Sequence, residues 1–309
     1  NKLMVKNLFI TGGLGQDGRI ICKLLKRKKF NINIITKSKE VNANKKINYI
    51  ISNLLCKKKI ETIFKKKKPD IVLHLASNNP SHLENNYEKF YKNNLISTKN
   101  IFYSTFKANK QAKFISCSSS QIFKKRNGIV NENSKIQAST NYTKFRIQSH
   151  NLMLKYKKIN KIKYSNIILF NHDSKYRNQK FIIPRIIRAI YEKNIDFLNE
   201  ILKSNIASDF SHAEDICKGI IKIMFSNKNI DAIILSSGKL TLLNKIIYNI
   251  IKKNRINIKI KYPKKLAKGL IGNNILAKNK FNWTPKKNIF EAANEIYKTH
   301  KKLYLKFIK

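Results

Sequence analysis

The stretch Ile10-Thr11-Gly12-Gly13-Leu14-Gly15-Gln16-Asp17-Gly18, "ITGGLGQDG", decides how the rest of the chain reads. It closes the short apolar run "KNLFIT" (6–11) and opens a segment from Asp17 to Arg27 with apolar residues at helical spacing. Gly12, Gly15 and Gly18 punctuate that strand-to-helix turn as Gly-x-x-Gly-x-x-Gly. Glycine lets a backbone turn tightly and approach a pyrophosphate, whose charge the helix N-terminus meets. The opening residues therefore point to a nucleotide.

Working outward, strand and helix signals alternate. Further strand candidates are 32–36, 47–52, 70–76, 113–120, 164–171 and 232–238, and segments near 58–66 and 86–109 have helical spacing. This alternation predicts an α/β fold, a doubly wound Rossmann-type parallel sheet with helices on both faces. After about residue 172 the order loosens, with helices expected at 184–194 and from 288 onward. The expected organisation is a nucleotide-binding domain over 1–172 and a smaller, mainly substrate-binding part over 173–309, with strand 232–238 returning to the sheet.

Composition narrows the function classes. Hydrophobic residues make up 42%, enough for a sizeable core. No apolar run approaches the ~20 residues that cross a bilayer. The first residues carry no secretion signal, and Cys22, Cys56, Cys117 and Cys217 are scattered without metal-ligand spacing. A cytoplasmic protein with reduced cysteines and no metal site is expected. Lys+Arg is 65 against Asp+Glu 17, with a pI near 10.2. A field of that size attracts nucleic acid. Yet nearly all the charge is lysine, spread along the chain and inflated together with isoleucine and asparagine, as a coding bias produces. Aromatic residues do not interleave with it as a base-stacking surface requires, so specific nucleic-acid binding is not expected.

Two local features bear on chemistry. Tyr142 and Arg146, in "NYTKFR", are four residues apart and share a helix face. A tyrosine followed at that spacing by lysine is a familiar proton-transfer pair; here the cation is arginine. After the second strand the chain reads Thr36-Lys37-Ser38-Lys39, with no carboxylate before Glu40. An acidic residue there would bind the ribose 2′-hydroxyl of NAD, whereas a cation accommodates a 2′-phosphate. Lys37 therefore favours NADP over NAD.

With "GGLGQDG", the serine-rich strand end at 113–120 and Tyr142 together, the chain resembles the extended short-chain dehydrogenase/reductases that modify nucleotide sugars. Among these it looks most like the GDP-mannose 4,6-dehydratases. The distinctive segment is "LFNHDSKYRNQKF" (169–181), and "SDFSHAEDI" (208–216) and "GNNILAKNKFNWTP" (272–285) follow in the family's order. The resemblance implies that a tyrosine takes the proton of the sugar C4 hydroxyl while a hydride passes to the nicotinamide. A glutamate then removes the C5 proton and assists loss of the C6 hydroxyl. It places Ser119 at the residue holding the reacting oxygen and Tyr142 at the base. It implies cofactor contacts from Gly12, Gly15, Gln16, Asp17, Gly18, Lys37, Asn53, Leu75 and Ala76, with Tyr142 and Arg146. Asn171, Arg177 and Phe181 fall at substrate positions, and Asn94 at an asparagine of the helix after the fourth strand. The implied partner is a nucleotide sugar, GDP-linked, and the implied assembly a homodimer.

The departures from the family matter as much. Gln121 stands at the glutamate, Arg146 at the lysine and Ser208 at a phosphate-binding arginine. Asn53 replaces an aspartate near the adenine, and Tyr262-Pro263-Lys264-Lys265 replaces a ribose-binding segment. Glutamine has no titratable proton near neutrality and cannot serve as the C5 base. Three readings stay open: a GDP-mannose 4,6-dehydratase-like enzyme, a reductase or epimerase of a nucleotide 4-keto sugar, and a binding protein that turns over little. His172 and His212, without a carboxylate or cysteine at ligand spacing, read as structural.

Overall fold

A computed structural model describes residues 6–26, 30–39, 46–79, 88–258 and 268–307. The first half alternates as expected: β1 (Lys6–Thr11), α1 (Gln16–Leu25), β2 (Phe30–Thr36), β3 (Ile47–Ile51), α2 (Lys57–Lys67), β4 (Ile71–His74), α3 (Glu88–Ala108) and β5 (Lys113–Ser119). A short 3-10 turn at Ser120–Ile122 leads to β6 (Gly128–Val130), α4 (Asn141–Asn160), β7 (Lys163–Leu169) and β8 (Asn171–Asp173). Then come α5 (Ile182–Tyr191), α6 (Ile195–Ser204), β9 (Ala207–His212), α7 (Ala213–Phe225) and β10 (Ala232–Leu235). The chain finishes with β11 (Leu240–Leu242), α8 (Leu243–Lys253), β12 (Leu270–Gly272), α9 (Ile275–Phe281) and α10 (Ile289–Phe307).

Seven strands pair in parallel in the order β10-β7-β5-β4-β1-β2-β3. From β1 the chain winds outward to β3, then crosses back to β4 and winds the other way. The reversal between β1 and β4 opens a crevice at their C-terminal ends, where ligands of such sheets bind. Central strands covered on both faces read as continuous apolar runs. Leu8, Phe9 and Ile10 of β1 are fully buried, and every residue of β4 is buried.

Each face has its own filling. On one, Ile20, Ile21 and Leu25 of α1 pack with Ile216, Ile220 and Ile223 of α7. On the other, Phe64, Phe102, Phe106, Phe114 and Tyr164 form an aromatic layer, Phe102 meeting Phe106 and Phe114 edge-on at 5.1 Å each. A separate isoleucine-rich core lies under α5, α6, α8 and α10, with Ile183, Ile186, Ile187 and Ile190 on the apolar stripe of α5.

The structure differs from the sequence expectation in the second half. The run 164–171 divides at Phe170: β7 stays in the main sheet, while Asn171–Asp173 pairs with Phe210–His212 of β9 in a small three-stranded sheet. The loosened region holds α6, α7 and α8. The start signals of the last two are weak, because α7 is capped by His212 and α8 follows Leu242 with no side-chain cap. Among the described residues no helix is long and apolar enough to cross a membrane.

Candidate active site

Among the described residues, two of the cavities along the crevice hold the residues singled out in the sequence. The first, of about 320 Å³, is framed by the glycine loop, Thr36 and Lys37 after β2, Asn53 after β3, Ala76 to Asn78 after β4 and Asn94 of α3. Its floor is backbone. Gly12 sits at φ +72, and a Cβ there would lie 2.7 Å from the Ala76 nitrogen. A Cβ on Gly18 would meet the Gly13 Cα at 2.4 Å, so the helix packs directly on the loop. Gly15 caps α1 without a side chain to occupy the N–H groups of the first turn. Bare N–H groups at a helix N-terminus, approached over glycine, fit the diphosphate of a dinucleotide.

A buried relay holds the rim of this cavity. The Thr98 hydroxyl donates to the Asn94 carbonyl at 2.6 Å, so at 3.0 Å the His74 Nε2–H donates to Thr98. His74 Nδ1 then accepts from the Thr11 hydroxyl at 2.7 Å, and Thr11 accepts from the Ala76 N–H at 3.2 Å. Burial, helped by the Arg146 charge, pushes the His74 pKa down to about 3. The imidazole is neutral and the relay keeps one tautomer. Asn94 adds both of its amide atoms to the Asn78 backbone, at 2.8 and 3.0 Å. Asn53 spends its side-chain oxygen on the Leu55 N–H at 3.1 Å.

The second cavity, of about 210 Å³, gathers Ser119, Gln121, Tyr142, Arg146, Asn171, Arg177 and Phe181, together with Asp17 and Leu75. Its residues come from the start of α1, the end of β4, β5, α4, β8 and the segments beside them. A capping box between Thr140 and Thr143 starts α4 and fixes Tyr142 in its first turn, 5% exposed. The Tyr142 hydroxyl points to Asn79 Oδ1 at 3.4 Å, and its ring meets Tyr91 edge-on at 5.6 Å. One turn later the Arg146 guanidinium lies 5.2 Å from the Tyr142 ring centre. It donates to the Cys117 carbonyl at 2.5 Å and to Ser77 Oγ at 2.6 Å. Ser119 Oγ accepts the Gln121 N–H at 3.3 Å, and Arg126 ties the Gln121 carbonyl, at 3.1 Å, to Ser139 Oγ, at 2.6 Å. Gln121 itself is exposed toward the cavity.

Sequence reasoning missed a charged cluster under this cavity. Asp17 and His172, 155 residues apart, meet at 3.1 Å, and the other imidazole nitrogen donates to the Phe170 carbonyl at 2.7 Å. Burial opposes the charge on His172, but the attraction and hydrogen bond of Asp17 outweigh it and raise its pKa. Burial likewise opposes the Asp17 carboxylate, and His172 outweighs it and lowers that pKa. Both shifts favour an imidazolium resting on a carboxylate. Gln16 joins the same elements, donating to the His172 carbonyl at 3.1 Å and accepting from Ser174 Oγ at 3.0 Å. Arg177 lies 3.0 Å from Asp173 and 3.7 Å over the Phe181 ring. Asn171 donates to Ser208 Oγ at 2.7 Å, so the serine at the arginine position holds a neighbour in place. His212 pairs with Glu295 at 3.3 Å. Both motifs, "GQDG" and "LFNHDS", are visible in the sequence, but no spacing rule links them. Tyr262-Pro263-Lys264-Lys265 lies outside the described residues.

The family model described as the NAD dependent epimerase/dehydratase family matches residues 8–235. A dTDP-D-glucose 4,6-dehydratase of Dictyostelium discoideum is 32% identical over 145 residues, an alignment covering 42% of this chain. That alignment spans 32% of the relative, about a third of its length. Among solved structures, a dTDP-glucose 4,6-dehydratase from Bacillus anthracis in complex with NAD superposes with a TM-score of 0.81 at 16% identity, covering 96% of this chain and 97% of that one. RMD from Pseudomonas aeruginosa, complexed with NADPH, superposes at 0.80 with 15% identity, covering 97% and 99%. With the glycine loop, the parallel sheet and a match that runs from β1 through β10, the chain belongs to the NAD dependent epimerase/dehydratase family.

Proposed function

We propose that the protein is a nucleotide-sugar-modifying enzyme of the GDP-mannose 4,6-dehydratase type, with NADP in the glycine-floored cavity and the sugar beside Tyr142. The observation that carries this reading is the convergence of Ser119, Gln121, Tyr142, Asn171 and Arg177 on one cavity next to that groove. When bound, the nicotinamide would supply reversible hydride acceptance at the sugar C4. Ser119 would hold the C4 hydroxyl and Tyr142 would take its proton. Arg177, stacked on Phe181, and Asn171, held by Ser208, would orient the diphosphate and sugar. Lys37, on the groove wall, would meet a 2′-phosphate.

A second reading has its own support. Gln121 can donate to and accept from a sugar oxygen but cannot remove the C5 proton. Reduction or epimerisation of a nucleotide 4-keto sugar needs the tyrosine and the nicotinamide and no such carboxylate. Incubation of GDP-mannose or dTDP-glucose with NADP, and of their 4-keto forms with NADPH, followed by mass and by chromatographic resolution of epimers, separates the two. Loss of water supports the dehydratase. A gain of two hydrogens on a 4-keto sugar with NADPH, or an epimer of equal mass, supports the second. No conversion of either sugar, and none of their 4-keto forms, would sink both.

A further inference from the structure

We propose that Arg126 is a positioning residue, whose guanidinium sets Ser119 and Gln121, at the end of β5, against Tyr142 in the first turn of α4. The proposal rests on the functional reading above. Arg126 lines neither the groove nor the cavity beside Tyr142, so it acts through its partners. The groups that would hold and deprotonate the sugar hydroxyl arrive on two separate elements, and their alignment needs a tie between those elements.

Both ends of the tie are fixed locally. Ser119 caps the 3-10 turn Ser120–Ile122 by accepting the Gln121 N–H at 3.3 Å, so the Gln121 carbonyl moves with that turn. The Ser139 N–H donates to Thr143 Oγ1 at 2.9 Å, and Thr143 forms the capping box with Thr140, so Ser139 moves with the start of α4. Arg126 reaches both, one terminal nitrogen on the Gln121 carbonyl at 3.1 Å and the other on Ser139 Oγ at 2.6 Å. Backbone bonds from Lys124 to Lys135 and from Gln137 to Ile122, 2.8 Å each, close the loop between without bonding either end of that bridge. The sequence sets Arg126 directly after Lys124 and Lys125, in a chain with eight arginines among 65 Lys+Arg. A lysine would supply the same charge at this exposed position. A planar guanidinium supplies in addition two donors in a fixed fork, which an ammonium on a flexible stem does not.

Such a bridge can bias the alignment by no more than its own free energy, which limits its effect to about tenfold. Single-turnover absorbance of the reduced nicotinamide tests this, with NADP and GDP-mannose or dTDP-glucose, and with NADPH and their 4-keto forms. Arg126→Ala should slow hydride transfer by about threefold to tenfold, and Ser139→Ala by part of that. The double variant should be no slower than Arg126→Ala alone, because both substitutions break the same bridge. Arg126→Lys should stay slow, and thermal midpoints should barely move, as befits an exposed side chain. A natural rate in Arg126→Ala, with or without a lowered midpoint, would overturn the positioning role. Full recovery in Arg126→Lys would overturn it too, by assigning the effect to charge alone. So would losses from Arg126→Ala and Ser139→Ala that multiply in the double variant, since the two side chains would then act apart. No hydride transfer by the natural protein with any of these sugars would instead sink the functional reading, and this role with it.

Discussion

The groove and the cavity beside Tyr142 are built by opposite means. The groove is made of backbone: Gly12 at positive φ, Gly18 against Gly13, and the bare first turn of α1. The cavity beside Tyr142 is made of side chains delivered by separate elements of the fold. Departures from the resembled family fall in both: Gln121 and Arg146 line the second, with Ser208 behind Asn171, and Asn53 lines the groove. A backbone surface survives replacement of one polar side chain by another, because its hydrogen-bond donors belong to every residue. A constellation of side chains keeps its geometry only while each member keeps its shape and charge. In a chain so enriched in lysine, asparagine and isoleucine, the groove is the part that tolerates drift.

Mutations should reflect that contrast, with large effects in the side-chain cavity and small ones in the groove. Tyr142→Phe should have the largest effect, lowering hydride transfer by about 10²–10⁴, the usual worth of a positioned proton acceptor. Single-turnover absorbance of the reduced nicotinamide reports it, and an unchanged rate would return Tyr142 to the role of a packed helix residue.

Asp17→Asn should come next, removing the carboxylate that holds His172 protonated, so that the buried imidazole sheds its proton. Because the imidazole can neutralise, and Asp17 keeps 19% of its side chain exposed, the loss should fall below the about 3–5 kcal/mol of a broken pair whose surviving charge persists. The pair also sets a pH window. The raised His172 pKa contributes stability that is full below its ordinary 6.5 and lost as pH rises through the folded value. The lowered Asp17 pKa contributes stability that is full above its ordinary 3.8 and lost as pH falls through the folded value. The gap in thermal midpoint between the natural protein and His172→Asn should be widest between those two values and narrow on either side. A gap that is flat with pH would mean that the pair is a neutral hydrogen bond.

Gln121→Glu tests the dehydration step. It should accelerate water loss from the oxidised sugar by about 10²-fold while hydride exchange at C4 persists. Natural protein that already loses water at the variant's rate would place the C5 base elsewhere.

The smallest effect should come from the groove. Lys37→Asp should shift preference from NADP to NAD by about tenfold, one charged contact's worth, with the diphosphate affinity carried by backbone left in place. Titration of both cofactors decides it; if neither affinity moves, Lys37 is part of the general lysine background.

Much of this was written in local sequence. The alternation of apolar runs and helical spacing gave the seven parallel strands to within three residues at each end, because pleat and helix periods are set within a few positions. The glycines marked the turn between β1 and α1, and the four-residue spacing put Tyr142 and Arg146 on one face. Where the start signals were weak, at α7 and α8, the reading thinned out.

Tertiary structure alone decided what the charged and polar side chains do. It set Asp17 on His172, Arg146 on Ser77, Ser208 on Asn171 and neutral His74 between Thr11 and Thr98. Such pairs join residues far apart in the chain, so no period announces them. Their charge states follow from burial and neighbours, which exist only once the sheet has closed over them.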